Sequence, residues 1–275
     1  MERLIRTVIA CALLSLCANV FASPQRIVSL APSITKSLYL LGVEDRLIAN
    51  TTYCTQPPQA RDKEKIGGVM EVNLEKIISL QPDLIMVIPL TNTQVLDKLR
   101  SLGIKIVTFP AAENFGQLCN QFLKMGEIVG KEKEAKKIVY QARKKVSFIK
   151  QKAKGLPKPK VLVQVGNRPL WVAPKRSFVN DFIEVAGGIN IGPPGKNGLY
   201  SIEKVLVDNP DVIIITTMGM IGEEETKMWE RFKTLNAVKN NKIYIIDSYK
   251  ICSPTPVEFG ETLEEIFCLL HSEGR

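Results

Sequence analysis

Fifteen residues of this 275-residue chain occur twice, at a constant offset of 128 and without a gap. Residues 73–87 read NLEKIISLQPDLIMV, and residues 201–215 read SIEKVLVDNPDVIII. Each copy predicts a short helix, a Pro-Asp turn and an apolar strand of the kind that is buried in a parallel sheet. Solenoid repeats have much shorter periods, about 20–50 residues. The chain is therefore predicted to contain two similarly built lobes, with a cleft between them.

A weaker echo follows each copy, LDKLRSL at 96–102 and WERFKTL at 229–235. Trp229 corresponds to Leu96 in this echo, and it is expected to be a core residue of the second lobe.

The first 22 residues predict an export signal. Two arginines stand among the first six residues, residues 7–20 are apolar, and Val20-Phe21-Ala22 is a small-residue cleavage site. A lipoprotein signal ending at Cys11 is an open alternative, and Cys17 fits such a signal less well. No later segment is apolar over about 18 residues, so the mature chain is expected to be soluble.

Export would place the mature chain in an oxidising compartment. Four cysteines remain there, Cys54, Cys119, Cys252 and Cys268, and four cysteines allow three pairings. The sequence does not select among them.

The net charge of +9 is concentrated in one segment. Residues 131–154 hold ten Lys or Arg and two Glu, and apolar residues recur among them at steps of three and four. This pattern predicts an amphipathic helix of about 36 Å. Its basic face is either solvated or in contact with anionic lipid or a partner. We expect that face to carry no aromatic rings, which leaves no platform for base stacking and excludes a nucleic-acid function.

The remaining patterns predict an α/β protein of two Rossmann-like lobes with parallel sheets, joined by one long α-helix. The predicted lobes span 23–129 and 157–275, and the connecting helix spans 130–156. A single stiff helix between lobes should limit their opening. The other predicted elements are strands at 26–30, 47–50, 104–109, 161–165 and 243–246 and helices at 33–41 (capped by Ser33), 178–186 and 258–271.

Three segments carry a resemblance to a known family: RIVSLAPSITKSLYLLGVEDRLIANTTYCTQPPQA, IGGVMEVNLEKIISLQPDLIMV and WERFKTLNAVKNNKIYIID. They resemble the periplasmic substrate-binding proteins of ABC importers for cobalamin and iron chelates, the class with a helical backbone between lobes. The resemblance implies a binding protein and not an enzyme, without a resident cofactor or metal. It implies delivery of a cobalamin or related corrinoid to a permease and ATPase complex at the inner membrane. Haem and a ferric siderophore remain alternative ligands.

The resemblance also gives roles to individual residues. Glu75 and Glu203 match the acidic residues that dock each lobe on the permease, although a glutamate in the first turn of a helix is favourable by itself. Asp83 and Asp211 follow proline and are expected to be turn residues. Lys36 stands where the family usually has glutamate.

The expected ligand-binding residues are aromatic, because flat rings suit a large planar ligand. Tyr53 and Trp171 match the cobalamin-binding members of the family, and Tyr200 and Tyr249 are candidates to join them, with ordinary packing as the alternative for each. Cys54 and Cys252 are expected to face the cleft from opposite lobes, either as a disulfide across it, as thiols that touch the ligand or a soft metal, or as separate thiols without a role.

An enzyme of two Rossmann-like lobes, such as a glycosyltransferase, has the same outline. No G-x-G-x-x-G or P-loop follows a predicted strand, and no acid–base constellation stands out. The sole histidine, His271, lies on the last predicted helix. This excludes a histidine-rich metal receptor, a serine triad and a zinc hydrolase.

Overall fold

The computed structural model describes residues 23–216 and 222–272. The predicted export signal, with Cys11 and Cys17, lies outside the described residues. Five strands form the sheet of the first lobe: β1 Ile27–Ser29, β2 Leu47–Asn50, β3 Glu64–Lys65, β4 Leu84–Val87 and β5 Lys105–Thr108. Their order is β3-β2-β1-β4-β5, and every pair is parallel. The first lobe is therefore the predicted Rossmann-like unit.

The sheet of the second lobe contains β6 Lys160–Gly166, β7 Trp171–Val172, β8 Ile189–Asn190, β9 Val212–Thr216 and β10 Ile243–Ile246. Strands β10, β9 and β6 are parallel neighbours, and β8 is parallel to the start of β6. Strand β7 pairs antiparallel with the end of β6, so the prediction of parallel pairing is wrong for this strand. The reversal follows from the short turn between β6 and β7, since only a long crossover returns a strand in parallel.

Helices pack on both sheets. Those of the first half are α1 Pro32–Leu40, α2 Leu74–Ser79, α3 Thr93–Ser101, α4 Phe115–Val129 and α5 Glu132–Lys152. Those of the second half are α6 Phe178–Val185, α7 Ile202–Asp208, α8 Gly222–Glu230, α9 Asn236–Lys239, α10 Ser248–Cys252 and α11 Pro256–His271. Within the described ranges, none of these helices has the length and apolar character needed to cross a membrane.

The predicted connecting helix is α5. It is preceded by Gly130, which ends α4 with a positive φ of 70°, a conformation that glycine adopts without strain. The predicted Ser33 cap on α1 is wrong, because Pro32 already occupies the first helical turn and Ala31 is the N-cap residue, with no side-chain cap. Proline tolerates this position since it has no backbone N–H to satisfy.

The duplicated sequence has the same structural role in both lobes. Asn73 caps α2 by accepting a hydrogen bond from Lys76 N at 2.9 Å, and Ser201 caps α7 by accepting one from Lys204 N at 3.2 Å. The similar segments 96–102 and 229–235 differ more in structure. Helix α3 continues to Ser101, near the end of the first segment, whereas α8 ends at Glu230, near the start of the second.

The duplicated aspartates do more than form turns. The Asp83 carboxylate accepts backbone N–H groups from Gln25 (2.7 Å) and Arg26 (3.0 Å) just before β1. Asp211 accepts the Lys160 backbone N–H at 2.8 Å at the start of β6. Each aspartate therefore fastens the first strand of its own lobe to the start of the strand within the repeat, β4 or β9.

One hydrophobic core runs through both lobes. The buried face of α5 consists of Ala135, Val139, Ala142, Val146 and Ile149. This face belongs to the same buried cluster as Phe122 of α4 and Leu263 of α11. Phe259 stacks across the lobe boundary on Phe115 at a centroid distance of 4.7 Å, and within the second lobe on Phe182 at 4.0 Å. A shared core of this kind resists separation of the lobes more strongly than a flexible hinge does.

Candidate functional site

The cleft lies where the carboxyl ends of the two sheets face each other, which is the usual ligand site of parallel α/β sheets. On the first lobe its loops follow β1, β2, β4 and β5. On the second lobe they follow β6 and β10.

Tyr53 and Tyr249 meet at one end of the cleft. Tyr53 follows β2 and is 60% exposed. The Tyr249 hydroxyl donates to the backbone carbonyl of Tyr53, and the Thr55 hydroxyl donates to the Tyr249 oxygen at 2.9 Å. Because Tyr249 belongs to α10 of the second lobe, these bonds join the lobes. Tyr249 is therefore part of an interlobe bridge, while the ring of Tyr53 stays exposed.

Lys36 belongs to the same bridge and is almost fully buried. Its Nζ lies 2.8 Å from Glu258 Oε2 of α11 and 3.5 Å from the Tyr249 carbonyl oxygen. It also lies 5.8 Å from the centroid of the Tyr249 ring, within the range of a cation–π contact. The sequence singled out Lys36 as a departure from the family pattern, but gave no signal for Glu258 as its partner. The departure now has an explanation, since a cation at this position pairs with a carboxylate of the other lobe.

Trp171 lies on β7 at the edge of the second sheet and is 40% exposed. Two glycines make room for its side chain. A Cβ at Gly166 would lie 3.1 Å from the Trp171 Cβ, and a Cβ at Gly198 would lie 3.0 Å from the indole Cε3 and 2.3 Å from the Val172 carbonyl oxygen. The indole is therefore held against backbone on one side and exposed on the other.

Tyr53 and Trp171, the two aromatic residues expected to contact the ligand, lie toward opposite ends of the cleft. At one end, Tyr53 after β2 meets Tyr249 after β10. At the other end, Glu113 after β5 pairs with Lys196 and, at 3.7 Å, with Arg176 in the β7–β8 region. These ion pairs lower the pKa of Glu113, the hydrogen bond from Lys196 being the largest cause.

Tyr200 has a different environment from the one expected. Its hydroxyl hydrogen-bonds to the Asp208 carboxylate of α7 and lies 2.9 Å from the Ile191 carbonyl oxygen, both within the second lobe. Burial, and then the bond to Asp208, raise the pKa of Tyr200 well above its usual range. The hydroxyl is thus engaged in internal structure and is not presented as a free polar edge.

A disulfide across the cleft, one of the three alternatives for Cys54 and Cys252, does not form. Cys54, Cys119, Cys252 and Cys268 are all free. Cys54 does not face the cleft as expected, because its thiol is fully buried and lies 3.2 Å from the hydroxyls of Thr35 and Thr51. The sequence could not show this, since the turn after β2 decides which side chain points inward.

Cys252 does lie between the lobes. It ends α10 and lines an apolar cavity of about 450 Å³, together with Leu90, Phe109, Phe122 and Phe178. Burial, and secondarily the charge of Asp247, raise the pKa of the Cys252 thiol to about 11. It is therefore a neutral apolar lining group at neutral pH rather than a reactive thiolate.

Glu225 is a buried carboxylate that sequence reasoning missed. Its Oε1 accepts a hydrogen bond from Asn167 Nδ2 at 2.8 Å, and Oε2 has no hydrogen-bond partner in the described part of the chain. Asn167 stands in the turn after β6, at the carboxyl end of the second sheet. The only signal in the sequence is the run of glutamates at 223–225, which resembles an ordinary exposed first turn.

The two expected docking residues occupy equivalent places. Glu75 and Glu203 are exposed in the first turns of α2 and α7, and neither forms an ion pair among the residues that the structure describes. The neighbouring duplicated lysines are neutralised inside each lobe, Lys76 by Glu64 and Lys204 by Asp208 at 2.6 Å. Glu75 and Glu203 therefore each keep an uncompensated carboxylate at equivalent positions of the two lobes.

The fold and the cleft define a two-lobed ligand-binding protein with a helical connection. The family model described as "periplasmic binding protein" matches residues 27–250, and the chain belongs to this family.

Three known proteins illustrate the relationship. The chain is 33% identical over 218 residues to a vitamin B12-binding protein of Photorhabdus laumondii, covering 78% of this chain and 77% of the relative. It is 31% identical over 252 residues to an uncharacterized ABC transporter substrate-binding lipoprotein, YvrC of Bacillus subtilis, covering 88% and 79%. Among solved structures, one from Staphylococcus epidermidis, described as a possible iron-binding periplasmic solute-binding protein, matches with a TM-score of 0.81 and 28% identity, covering 91% of this chain and all of that one.

Proposed function

We propose that this chain is the substrate-binding component of an ABC importer, and that it captures one large metal chelate in the interlobe cleft. The favoured ligand is a cobalamin or a related corrinoid. The observation that carries the proposal is the pair of exposed rings, Tyr53 and Trp171, on separate lobes of this cleft. The 33% identity to a vitamin B12-binding protein supports the choice of ligand.

The lining of the cleft suits a broad and mostly apolar ligand. Tyrosine and tryptophan offer large flat contact areas with a polar edge, which fits a planar macrocycle with polar substituents. The adjoining apolar cavity is in the usual size range of ligand pockets, about 300–1,000 Å³. The rings stand toward opposite ends of the cleft, so a ligand in contact with both must extend across it.

An iron chelate is the second candidate, either haem or a ferric siderophore. The similarity to a structure described as a possible iron-binding protein favours it. The same rings would contact a porphyrin or an aromatic chelator, so the spectrum of the bound ligand must distinguish the two classes.

We infer that the ligand is bound and released without chemical conversion and that the protein needs no cofactor of its own. Membership of a family of binding proteins supports this. The shared core, the bridge at Lys36 and Tyr249 and the ion pairs of Glu113 join the lobes, and they favour small changes in cleft width over a wide hinge motion.

We infer further that Glu75 and Glu203 dock the two lobes on a permease of approximate two-fold symmetry. Hydrogen bonds from its own backbone N–H and from the Ser201 hydroxyl lower the pKa of Glu203, which keeps the carboxylate charged. The internal pairing of Lys76 and Lys204 leaves the glutamates available to basic groups of a partner.

The predicted export signal and the family membership support a periplasmic location. A lipid anchor at Cys11 is the alternative, and a lipoprotein among the relatives is consistent with it.

The decisive measurement is the absorption spectrum of the protein purified from its own host, followed by titration with cobalamin, cobinamide, haem and ferric siderophores. The chain has two tryptophans, and Trp229 is buried and donates to Gln164 at 2.7 Å. Fluorescence quenching should therefore report mainly on the exposed Trp171.

The control for this titration is Trp171→Phe, which keeps an aromatic ring but removes the exposed emitter. We expect binding of a corrinoid by calorimetry in both proteins, and quenching mainly in the unchanged one. Absence of binding to all four ligand classes would refute the proposed ligand class.

A further inference from the structure

The long helix α5 has an exposed face that the proposed function does not use. From Ala135 to the end of the helix there is no acidic residue, while the exposed side carries lysines throughout. We call this side the basic face. It consists of Tyr140, Phe148 and the exposed lysines Lys136, Lys137, Lys144, Lys150 and Lys152, of which Lys137 also lies 4.0 Å from Glu134 Oε1.

The basic face also carries aromatic rings, so the expectation of an aromatic-free face is wrong. Tyr140 is 60% exposed and Phe148 is 57% exposed. The two residues are eight positions apart, which separates them by about 12 Å along the helix. Lys144 Nζ lies 5.6 Å from the Tyr140 ring centroid, and Lys152 Nζ lies 4.7 Å from that of Phe148. Each exposed ring is therefore accompanied by a cation on the next turn.

This combination matches the chemistry of a membrane surface. Lysines are attracted to anionic head groups, and exposed aromatic rings favour the interface between head groups and acyl chains. The apolar face of α5 is already buried in the core, so the helix cannot insert as an ordinary amphipathic helix does. The basic face is instead suited to lie on the surface of a bilayer with only its two rings embedded.

We propose that the basic face of α5 is a docking surface for an anionic lipid bilayer. The helix has 21 residues, so it can lie along the membrane over about 31 Å. The occupant is inferred from charge complementarity together with the two rings, because charge alone would fit any polyanion.

The position of α5 determines how the adsorbed protein is oriented. At its start, the Val129 carbonyl accepts a hydrogen bond at 2.9 Å from Arg46, which directly precedes β2. At its end, the chain leads into β6 at Lys160. Both ends of α5 therefore lie at the amino ends of the strands, opposite the cleft.

Glu75 and Glu203 lie on the other side. They stand in the first turns of helices that lead back to the amino ends of β4 and β9, so these turns are at the carboxyl edge of each sheet. A protein adsorbed through α5 would expose its cleft to the periplasm, away from the bilayer. Adsorption and permease docking are then alternative orientations of one receptor.

The test is co-sedimentation of the mature chain with vesicles of phosphatidylglycerol and phosphatidylcholine in equal parts, and with vesicles of phosphatidylcholine alone. We expect binding to the anionic vesicles at about 0.1 M salt, where the Debye length is about 10 Å, and strong weakening at about 1 M salt, where it is about 3 Å. Equal binding to both vesicle types, or none to the anionic ones, would overturn the proposal.

Two pairs of variants separate specific docking from general charge. Lys136→Glu with Lys144→Glu should weaken binding at least tenfold. The matched control, Lys98→Glu with Lys239→Glu, makes the same charge change at exposed lysines of α3 and α9 and should weaken it much less. Equal losses in the two pairs would mean that only net charge matters, against a defined face.

The aromatic contribution distinguishes a bilayer from a soluble polyanion. Tyr140→Ser with Phe148→Ser should reduce vesicle binding about fivefold to tenfold, and Tyr140→Trp with Phe148→Trp should restore it. Both variants should keep the thermal unfolding of the parent, because the rings are exposed. If the serine variant binds vesicles as well as the parent, or if the parent binds single-stranded DNA as tightly as anionic vesicles, the proposal fails.

Discussion

The bridge between Lys36 and Glu258 should show strong energetic coupling, with unequal costs for its two halves. The Lys36 side chain is 5% exposed and that of Glu258 is 32% exposed, at an Nζ–Oε2 distance of 2.8 Å. Breaking a fully buried ion pair by removing one partner costs about 3–5 kcal/mol, and a fully exposed pair is worth about 0–1 kcal/mol. This half-buried pair should lie between these limits.

Glu258→Gln leaves a buried ammonium without its counter-charge, and it should lower the free energy of unfolding by about 2 kcal/mol. Glutamine retains an oxygen that can accept the Thr255 N–H bond of the capping box, now 2.8 Å long, so the loss reports on the ion pair. Lys36→Met removes the buried charge but keeps the apolar stem, and it should cost only about 0–1 kcal/mol because Glu258 remains partly hydrated. The double variant should resemble Lys36→Met alone, giving a coupling energy of about 2 kcal/mol.

The assay is urea unfolding of the four proteins, with equal m-values as the condition for comparing them. In thermal unfolding, the Glu258→Gln loss should correspond to about 4–8 °C for a chain of this size. The control is Glu265→Gln, because Glu265 pairs with Lys250 at the same distance of 2.8 Å, but this lysine is 51% exposed whereas Lys36 is 5% exposed. Equal losses for Glu258→Gln and Glu265→Gln, or a double variant that equals the sum of the singles, would refute this reasoning.

Three further predictions concern ligand binding, thiol chemistry and docking. Trp171→Ala should weaken binding of the cleft ligand by about 1–3 kcal/mol in calorimetry, a range typical of aromatic anchors, and unchanged affinity would remove the indole from the site. In the native protein at pH 8, iodoacetamide should modify exposed Cys268 well before Cys252, whose pKa is raised to about 11, and faster labelling of Cys252 by mass spectrometry would contradict this. Because like charges at an interface cost several kcal/mol, Glu75→Arg with Glu203→Arg should sharply lower transport in reconstituted vesicles while ligand affinity stays within about twofold; full transport would show that docking lies elsewhere.

Much of the fold was determined by the sequence alone, because the relevant signals are local. The repeat predicted two equivalent helix–strand units, and polar residues at equivalent positions, Asn73 and Ser201, cap α2 and α7 in the structure. The amphipathic segment 131–154 matches α5 to within two residues at each end, while the connecting helix predicted over 130–156 extends four residues too far at its C-terminal end. The resemblance to periplasmic binding proteins is confirmed by the family match over residues 27–250. Periodicity, caps and turn residues depend on neighbours within a few positions, so they can be read without the fold.

The positions and hydrogen-bond partners of the side chains in and around the cleft could not be predicted from the sequence, because they depend on contacts between distant segments. Cys54 is buried beneath Thr35 and Thr51, and Tyr200 is bonded to Asp208, although both were expected at the ligand site. The antiparallel pairing of the two-residue strand β7 also needed the structure, because a strand this short has no periodicity to read.

The interlobe bridge of Lys36, Tyr249 and Glu258 shows most clearly what the sequence could not predict. Lys36 was visible in the sequence as a departure from the family pattern, but its meaning came from Glu258 and Tyr249, which the packing of α11 and α10 brings beside it. A buried cation is stable only with a compensating charge and hydrogen bonds, and that compensation comes from the other lobe. Local sequence therefore determined which lobes form, and only their packing against each other decided which polar groups face the ligand and which hold the lobes together.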